Sequence, residues 1–371
     1  MVAGICLSDP HPDRASEGSS TRTISAARFA GRYRLVDFML SNMVNAGVNN
    51  IVMILNSHYQ SLIGHIGMGK EWDLARKSGG VKFFPPYLAD ERQTVNSELD
   101  GPLQRAAEYM SESRVDLVIL ADSSVVYNMD YRFALDEHAR RGADITAIYS
   151  RKNITQGERE SAIIFDIDPS GRVVALSGHA EDAPEQNVSL GAYIMHKDLF
   201  IELTAGEKNC GMLRFSRVLV AGALGRLNVV AHEFRGYSAQ ICTVGTFFHY
   251  NMEMLDIEKR NALFDLEGRR IYTSRRDSLP TKYGKKAQIR NSIVAEGCQI
   301  DGEVTDSVIF RNVKVKAGAV VRNSILQEST VIEKDADLDY VIADRAVVIS
   351  EQRRIAGYST YPVYIENSRI I

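Results

Sequence analysis

The stretch NSIVAEGCQIDGEVTDSVIF, residues 291–310, sets the pattern of the carboxyl-terminal part of the chain. Related segments recur as DSVIFRN, NSILQES and DYVIADR, in which we take Ser292, Ser307, Ser324 and Tyr340 as equivalent positions, 15, 17 and 16 residues apart. An aliphatic residue stands at about every sixth place between them. Such short strands bury their apolar face only by stacking. We therefore predict a left-handed parallel β-helix of hexapeptide repeats over residues 284–371, in preference to a β-sandwich, which would lack a fixed step.

Residues 1–250 follow a different pattern, in which short apolar runs alternate with helical segments. The runs VNNIVMIL (48–55), VDLVILA (115–121) and ADITAIYS (143–150) have the length and β-branched content of strands. The segments DFMLSNMVNAG and YRFALDEHARRG place apolar residues at helical spacing and end in glycine. This order predicts a Rossmann-like α/β domain with a mixed, mostly parallel sheet, joined to the repeats by a helix and linker at 251–283. The ligand site of such a sheet lies at the carboxyl ends of its strands.

Composition excludes several classes of protein. The net charge of −3 gives no electrostatic reason to expect a nucleic acid or an anionic membrane as partner. No apolar run reaches the roughly 18 residues that a membrane span requires. Four cysteines without metal-ligand spacing favour reduced thiols, so we expect a cytoplasmic protein. The exposed edges of a β-helix favour assembly into an oligomer.

The stretch FAGRYRLVDFMLSNMVNAGVNNIVMI, residues 29–54, resembles the bacterial glucose-1-phosphate adenylyltransferases (ADP-glucose pyrophosphorylases). The family pattern there reads Phe-Gly-Gly-Lys-Phe-Arg-Ile-Ile-Asp-Phe-x-Leu-Ser-Asn. The segments VVYNMDY and SLGAYIM and the hexapeptide repeats extend the resemblance over nearly the whole chain. Within the family, GRYRLVDFMLSNMVN and GKEWDLARK are most similar to the second, D-type regulatory subunit found beside the catalytic subunit in some Gram-positive bacteria. The resemblance implies a nucleotidyltransferase domain followed by the β-helix.

The reaction of this family requires a triphosphate loop and a magnesium site, because charge builds on the oxygens of ATP as the sugar phosphate attacks. The family's Gly-Gly-x-Gly-x-Arg-Leu loop corresponds here to DPHPDRASEGSS, which has one glycine and three acidic residues. Acidic side chains repel a triphosphate, and the missing glycines restrict close approach of the backbone. The lysine of the family's Lys-Pro-Ala-Val aligns with Ile24. Both features predict a disabled loop.

The resemblance also implies positions for the metal and sugar-phosphate ligands. The family's first metal aspartate aligns with Ser124, and Asp122 lies two residues earlier on what we read as one extended strand, about 6 to 7 Å away. The second aspartate, of the family's Asp-Val-Gly-Thr, is replaced by Thr243 in TVGT. The sugar-phosphate lysine aligns with His179, for which a surface loop histidine is the alternative interpretation. We therefore predict no catalytic residue and no metal site in this chain, with Mg²⁺ bound only by the catalytic partner.

Arginines cluster around TRTISAARFAGRYR, where Arg22, Arg28 and Arg34 recur every six residues and Arg32 adds another cation. In an extended segment they would share one face and bind phosphate. By resemblance this region forms part of an effector pocket for AMP or a sugar bisphosphate, completed by an arginine near the carboxyl end, for which Arg353 and Arg354 are candidates. The alternative is that some of these arginines pair with surface carboxylates or with a partner subunit.

The resemblance thus favours a regulatory, catalytically weak or inactive subunit that acts in bacterial glycogen synthesis as part of a heterotetramer with a catalytic subunit. A first alternative is an active glucose-1-phosphate adenylyltransferase with a displaced metal site, built from Asp122 and an acidic residue of DPHPD. A second is an acyltransferase that uses the β-helix alone, which the absence of histidine from residues 284–371 disfavours.

Overall fold

The computed structural model describes residues 1–8, 23–55, 58–85, 102–178, 185–205, 215–275 and 277–371. The principal sheet contains β1 Val2–Leu7, β4 Asn50–Ile54, β5 Gly80–Phe84, β6 Leu117–Asp122, β8 Ile145–Lys152, β9 Ile164–Ile167, β10 Val173–Ser177, β11 Gln186–His196 and β12 Val229–Glu233. Their order is β10-β9-β11-β6-β1-β4-β5, and β8 pairs with both β11 and β12. Strands β6, β1, β4 and β5 are mutually parallel, as is the pair β8 and β12, whereas β11 runs antiparallel to β6 and β8. The predicted mixed, mostly parallel sheet is confirmed.

Helices cover both faces of this sheet. They are α1 Leu35–Asn45, α2 Gln60–Ile66, α3 Pro102–Glu112, α4 Tyr131–Arg141, α5 Lys197–Thr204, α6 Ala221–Ala223, α7 Val244–Glu253 and α8 Ile257–Phe264. Short 3-10 turns lie at Ile24–Ala26 and Lys70–Trp72, and a π-helical turn at Phe215–Val220 precedes α6. Met110 of α3 and Phe200 of α5 are buried on one face, and Met39 of α1 and Ala134 of α4 on the other. None of the helices in the described ranges is long and apolar enough to span a membrane.

Local sequence explains where α4 begins and ends. The side chain of Asp130 accepts a hydrogen bond from the backbone N–H of Arg132 at 3.0 Å and so caps the first turn. Gly142 follows the last turn with a φ of 53°, a left-handed conformation that glycine adopts without steric cost. Helix, cap and terminator agree with the pattern read from YRFALDEHARRG.

Two small sheets connect the α/β domain to the repeats. One pairs β7 Val125–Tyr127 with β13 Ser238–Gln240, and the other is a hairpin of β2 Arg28–Phe29 and β3 Tyr33–Arg34. Three residues, 30–32, connect the two strands, and the chain reverses at Ala30 and Gly31, which both have positive φ. A Cβ on Gly31 would lie 2.9 Å from the side chain of Ile293, so the hairpin packs directly against the first coil of the repeats.

The repeats form three parallel sheets of five short strands each. The strands are β14 Lys282–Tyr283, β15 Gln288–Arg290, β16 Ile293–Val294, β17 Gln299–Ile300, β18 Glu303–Thr305, β19 Val308–Ile309, β20 Lys314–Val315, β21 Val320–Arg322, β22 Ile325–Leu326, β23 Val331–Ile332, β24 Asp337–Asp339, β25 Val341–Ala343, β26 Val348–Ile349, β27 Arg354–Ala356 and β28 Val363–Ile365. Each sheet takes every third strand, starting at β14, β15 and β16. This stacking confirms the predicted parallel β-helix.

A ladder of serine hydroxyls joins successive coils. The Oγ of Ser292 accepts from the backbone N–H of Ser307 at 3.2 Å, and the Oγ of Ser307 accepts from Ser324 at 3.1 Å. The Oγ of Ser324 then accepts from Val341, also at 3.1 Å, so Val341 and not Tyr340 occupies the equivalent position in the fourth coil. The sequence alignment was wrong there by one residue.

Tyr340 instead occupies a left-handed corner. Its φ of 52° matches the values of 40°, 47° and 44° at Asn291, Asp306 and Asn323. Asparagine and aspartate tolerate this conformation far better than tyrosine does, so the residue type at position 340 did not indicate a corner.

One hydrophobic core is shared by the two domains. Val308, Ile325 and Ile342, from the sheet that contains β19, β22 and β25, are buried in the same cluster as Phe38 of α1 and Phe248 of α7. The β-helix is therefore packed against the α/β domain along one of its three sheets.

Candidate functional site

The first candidate position lies at the carboxyl end of β6, beside the end of β1, where Asp122 is paired in register with Leu7. Asp122 is buried, and its Oδ1 accepts hydrogen bonds from the backbone N–H and the hydroxyl of Ser124, both at 2.7 Å. The expectation that Ser124 continues the strand is wrong, because β6 ends at Asp122 and the chain turns at Ser123 and Ser124. The carboxylate and the hydroxyl consequently lie next to each other.

Among the described residues, buried hydroxyl groups lie close to Asp122 at this edge. The hydroxyl of Ser25 donates to the carbonyl oxygen of Ser8, and that of Ser123 contacts the carbonyl oxygen of Leu7. The Oγ atoms of Ser25 and Ser123 are 2.7 Å apart. Ser25, Ser123 and Ser124 are fully buried, so the cluster ties the turn at Ile24–Ala26 to the ends of β1 and β6.

The second candidate position, Thr243, caps the amino end of α7. Its Oγ1 accepts from the backbone N–H of Thr246 at 3.1 Å, and the Oγ1 of Thr246 accepts from the N–H of Thr243 at 2.9 Å. The backbone N–H of Ile241 donates to the carbonyl oxygen of Ser124 at 3.2 Å. The fold therefore brings the segment that leads to Thr243 to the same edge as Asp122, although the two positions lie far apart in sequence.

This edge does not fit a magnesium ion with the residues that are described. Mg²⁺ prefers carboxylate oxygens and water in an octahedral arrangement. Asp122 is engaged with Ser124, and Thr243 has no charge and serves as a cap. The described ranges contain no group of three or more His, Cys, Asp or Glu side chains able to hold a metal. The acidic loop of residues 9–22, and with it Arg22, lies outside the described residues, as does His179.

A buried carboxylate that the sequence did not indicate lies near the cap of α7. Glu158 accepts hydrogen bonds from Lys152 Nζ and Tyr250 OH, each at 2.7 Å, and from the backbone N–H of Thr155 at 3.0 Å. Burial acts to raise the pKa of Glu158, but the Lys152 ammonium and these hydrogen bonds outweigh it and hold the pKa below its ordinary value. The backbone N–H of Gln240 also donates to Glu158, at 3.3 Å.

This carboxylate is part of a wider network around α7. Burial, then the charge of Glu158, raises the pKa of the Tyr250 hydroxyl. Burial also acts to raise the pKa of Glu253, yet hydrogen bonds from His249, Lys259 and Tyr237 lower it to about 2. Both carboxylates are thus charged and fully engaged, and they hold α7 in place. The segment GERES, which contains Glu158, has no residue spacing that would have predicted this buried carboxylate.

The arginine segment is a hairpin and not an extended strand. Arg28 and Arg34 are directly paired across β2 and β3, but their side chains bind different partners. Arg28 forms a buried ion pair with Glu328 of the β-helix. Arg34 donates to the carbonyl oxygen and the hydroxyl of Ser61 at 2.8 and 3.0 Å. The expected extended segment is wrong, because the chain reverses at Ala30 and Gly31, whereas phosphate binding by these two residues stays a prediction.

The remaining arginine candidates lie elsewhere. Arg32 is exposed next to the hairpin turn. Arg353 and Arg354 are exposed near the end of the β-helix, where Arg354 Nε lies 3.5 Å from Asp337 Oδ2. Strand β27, which begins at Arg354, belongs to a different sheet from β22, which precedes Glu328. Arg354 and Arg28 therefore contact carboxylates on different parts of the β-helix.

Comparison with known proteins agrees with the fold and with the motifs. Residues 19–238 match the nucleotidyl transferase family, and residues 279–360 match the GlmU-like, C-terminal hexapeptide family. The glycogen biosynthesis protein GlgD of Bacillus subtilis is 31% identical over 371 residues, which cover 100% of this chain and 97% of that protein. GlgD of Geobacillus stearothermophilus is 33% identical over 81% of this chain and 77% of its own length.

A relative named as an enzyme is somewhat less similar. The glucose-1-phosphate adenylyltransferase of Fervidobacterium nodosum is 28% identical over 94% of this chain and 84% of its own length. Fold, motifs and full-length similarity together show that the chain belongs to the nucleotidyl transferase family, in the group that holds the GlgD proteins and the glucose-1-phosphate adenylyltransferases.

Proposed function

We propose that this chain is a regulatory subunit of ADP-glucose pyrophosphorylase, with little or no catalytic activity of its own, that acts in glycogen biosynthesis. The observation that carries the proposal is the edge formed by β1, β6 and α7. There Asp122 is buried against Ser124, and Thr243 serves as a helix cap. The GlgD proteins of Bacillus subtilis and Geobacillus stearothermophilus match 100% and 81% of this chain and are named for glycogen biosynthesis.

The chain would act by assembly with a catalytic subunit, as a heterotetramer in the cytoplasm. ATP, glucose 1-phosphate and Mg²⁺ would be handled by the partner's site. Because the two domains share a core, in which Ile325 and Phe38 are buried together, the whole chain would act as one unit on the partner's conformation. Cys6, Cys242 and Cys298 are buried as thiols rather than disulfides, in keeping with a reducing compartment.

The test is to purify the catalytic subunit of the same organism with and without this chain. The proposal expects the two chains to elute together, and the mixture to differ from the catalytic subunit alone in kcat or in KM for ATP or glucose 1-phosphate. A mixture that changes neither quantity at any ratio of the chains would refute the regulatory role. Addition of AMP or a sugar bisphosphate to both samples then shows whether this chain shifts the effector response.

One observation favours the alternative of an active enzyme. After the turn that follows β6, an Asp122 carboxylate oxygen lies 2.7 Å from the hydroxyl of Ser124, the residue that the resemblance aligns with the first metal ligand. Since Mg²⁺ is often held by only one or two carboxylates plus substrate phosphates, a second ligand from residues 9–22 would complete such a site. Asp122→Asn separates the two functions, because it abolishes turnover by the chain only if this alternative is correct.

A further inference from the structure

A cavity of about 440 Å³ lies at the amino end of β4, where Val48 and Asn49 lead into the strand. The end of α1, the segment that begins with the turn at Lys70–Trp72, and Tyr272 line its other sides. Three stretches that are remote in sequence thus contribute side chains to one space. Its volume is within the roughly 300–1,000 Å³ typical of sites for small-molecule ligands.

This cavity is separate from the sites considered so far. Asp122 lies at the carboxyl end of β6, and β6, β1 and β4 are parallel, so the amino end of β4 belongs to the opposite edge of the sheet. None of Arg28, Arg32 and Arg34 lines the cavity. Neither the catalytic position nor the arginine hairpin therefore accounts for it.

The charges that line the cavity are matched. They belong to Glu71, Asp73 and Arg76. Asp73 and Arg76 form an ion pair with each other, and Glu71 Oε2 lies 3.2 Å from Arg275 Nε. The cavity consequently has no unpaired cation to attract an anion, and a phosphate placed in it would meet two carboxylates. Its charge favours a neutral ligand.

The polar groups of the lining include both donors and acceptors. The side-chain amides of Asn45 and Asn49 offer both, and the carboxylates of Glu71 and Asp73 accept hydrogen bonds from hydroxyl groups. Asn45 Nδ2 donates to the carbonyl oxygen of Arg270 at 3.0 Å, which holds this amide in place. A molecule with several hydroxyls suits such a lining, because each hydroxyl is both a donor and an acceptor.

A buried donor in the lining has no partner. Trp72 is 2% exposed, and its indole Nε1 makes no hydrogen bond among the described residues. Buried polar atoms in folded proteins almost always have a partner. The indole packs edge-on against the ring of His65, with ring centroids 6.0 Å apart, so its orientation is held by packing. A ligand hydroxyl that accepts from Nε1 would satisfy this donor.

We propose that the cavity beside Trp72 binds a neutral sugar, either a single unit or the end of a sugar chain. The carboxylate of Glu71 and the amide of Asn45 would bind its hydroxyls, the indole N–H of Trp72 would donate to one of them, and the ring of Tyr272 would pack against its apolar face. The proposal does not rest on the regulatory function or on binding of ATP.

The chain carries its own reporter for this site, since Trp72 is the single tryptophan. Glucose and maltose are each titrated into the full chain while Trp72 fluorescence is recorded, and equilibrium dialysis with the labelled sugars measures binding itself. We expect saturable binding that inorganic phosphate does not displace. Tighter binding of maltose would assign the site to a sugar chain, and equal binding to a single sugar unit; either result supports the proposal.

Two variants and one matched control locate the site. Glu71→Gln removes a charged acceptor, and Trp72→Phe removes the indole N–H but keeps an aromatic ring; each is expected to weaken sugar binding by about tenfold. Glu71 is only partly buried, so its variant tests the proposal even if Trp72→Phe fails to fold. Glu112→Gln changes an exposed glutamate of α3 outside the cavity and should leave binding unchanged.

Dialysis that finds saturable binding of neither sugar would overturn the proposal. So would a Glu71→Gln variant that binds sugar as tightly as the unaltered chain, because the sugar would then occupy another site. Displacement of the bound sugar by inorganic phosphate would contradict the assignment of the cavity to a neutral ligand.

Discussion

Buried serines serve different purposes in the two halves of the molecule. In the β-helix, Ser307 and Ser324 are fully buried, and each joins one coil to the next through the same pair of backbone contacts. At the edge of the α/β sheet, Ser25 and Ser123 are buried equally well, but they tie the turn at Ile24–Ala26 to the ends of β1 and β6 instead of linking repeated units. A hydroxyl can complete a backbone network, but it is a poor ligand for Mg²⁺. The comparison supports our proposal that this chain keeps the contacts that determine its fold and lacks the charged ligands that catalysis would need.

The largest loss of stability is expected from a substitution in the core that the two domains share. Ile325→Ala removes a fully buried side chain from the shared core and should lower the free energy of unfolding by about 4 kcal/mol, because such truncations leave a cavity. Guanidinium denaturation followed by circular dichroism measures it. Ile289→Ala is the control, since Ile289 is 38% exposed on β15 and should cost much less. Equal losses from the two variants would show that the domains do not share a core.

The ion pair between the hairpin and the β-helix ranks next. Glu328→Gln removes one partner of a pair whose side chains are only 10% and 9% exposed, and should cost about 3 kcal/mol because Arg28 remains buried. The same denaturation experiment with Arg28→Met and with the double variant completes a thermodynamic cycle. The double variant should be more stable than the sum of the single losses predicts. Strict additivity would mean that the pair contributes nothing to the junction.

The serine ladder is expected to contribute less at each step. Ser324→Ala leaves the backbone N–H of Val341 without its acceptor and should cost about 2 kcal/mol. Ser292→Ala, in the exposed first coil, should cost less than half as much. Thermal unfolding of both variants gives the comparison. If the two variants melt at the same temperature, burial of the ladder is not what makes it stabilising.

The smallest effect is a gain in stability at the hairpin turn. Ala30 has a φ of 50°, where a side chain costs roughly 1 kcal/mol, so Ala30→Gly should raise the free energy of unfolding by about that amount. Ala27→Gly is the matched control. Because Ala27 has a φ of −61°, where a side chain causes no strain, this variant should lower the free energy of unfolding. A loss of stability in Ala30→Gly would mean that packing of the methyl group outweighs the strain.

The sequence predicted the elements of this fold better than their ends. Strands β4, β6 and β8 and helices α1 and α4 lie within two residues of the periodic segments that predicted them. The turn at Ser123 was missed because it depends on a contact with the carbonyl oxygen of Leu7, 116 residues away. The corner at Tyr340 was missed because tyrosine is not a residue that signals a left-handed conformation.

Candidate positions were predictable as residues but not as a site. The resemblance drew attention to Asp122, Ser124 and Thr243, and only the pairing of β7 with β13 shows that they lie along one edge. The network around Glu158 depends on side chains from distant segments that share no pattern in sequence. Such sites are fixed by tertiary structure, so a periodicity argument cannot find them.

The most direct test of the central claim is release of pyrophosphate from ATP and glucose 1-phosphate by the purified chain alone, at saturating Mg²⁺. The unaltered chain is compared with Asp122→Asn and with the double variant Ser124→Asp and Thr243→Asp, which keeps the cap of α7 because aspartate caps a helix as well as threonine does. Our account predicts no turnover above background for the unaltered chain and no change in Asp122→Asn. Substantial turnover that Asp122→Asn abolishes would contradict the account and would show that this chain binds its own catalytic metal.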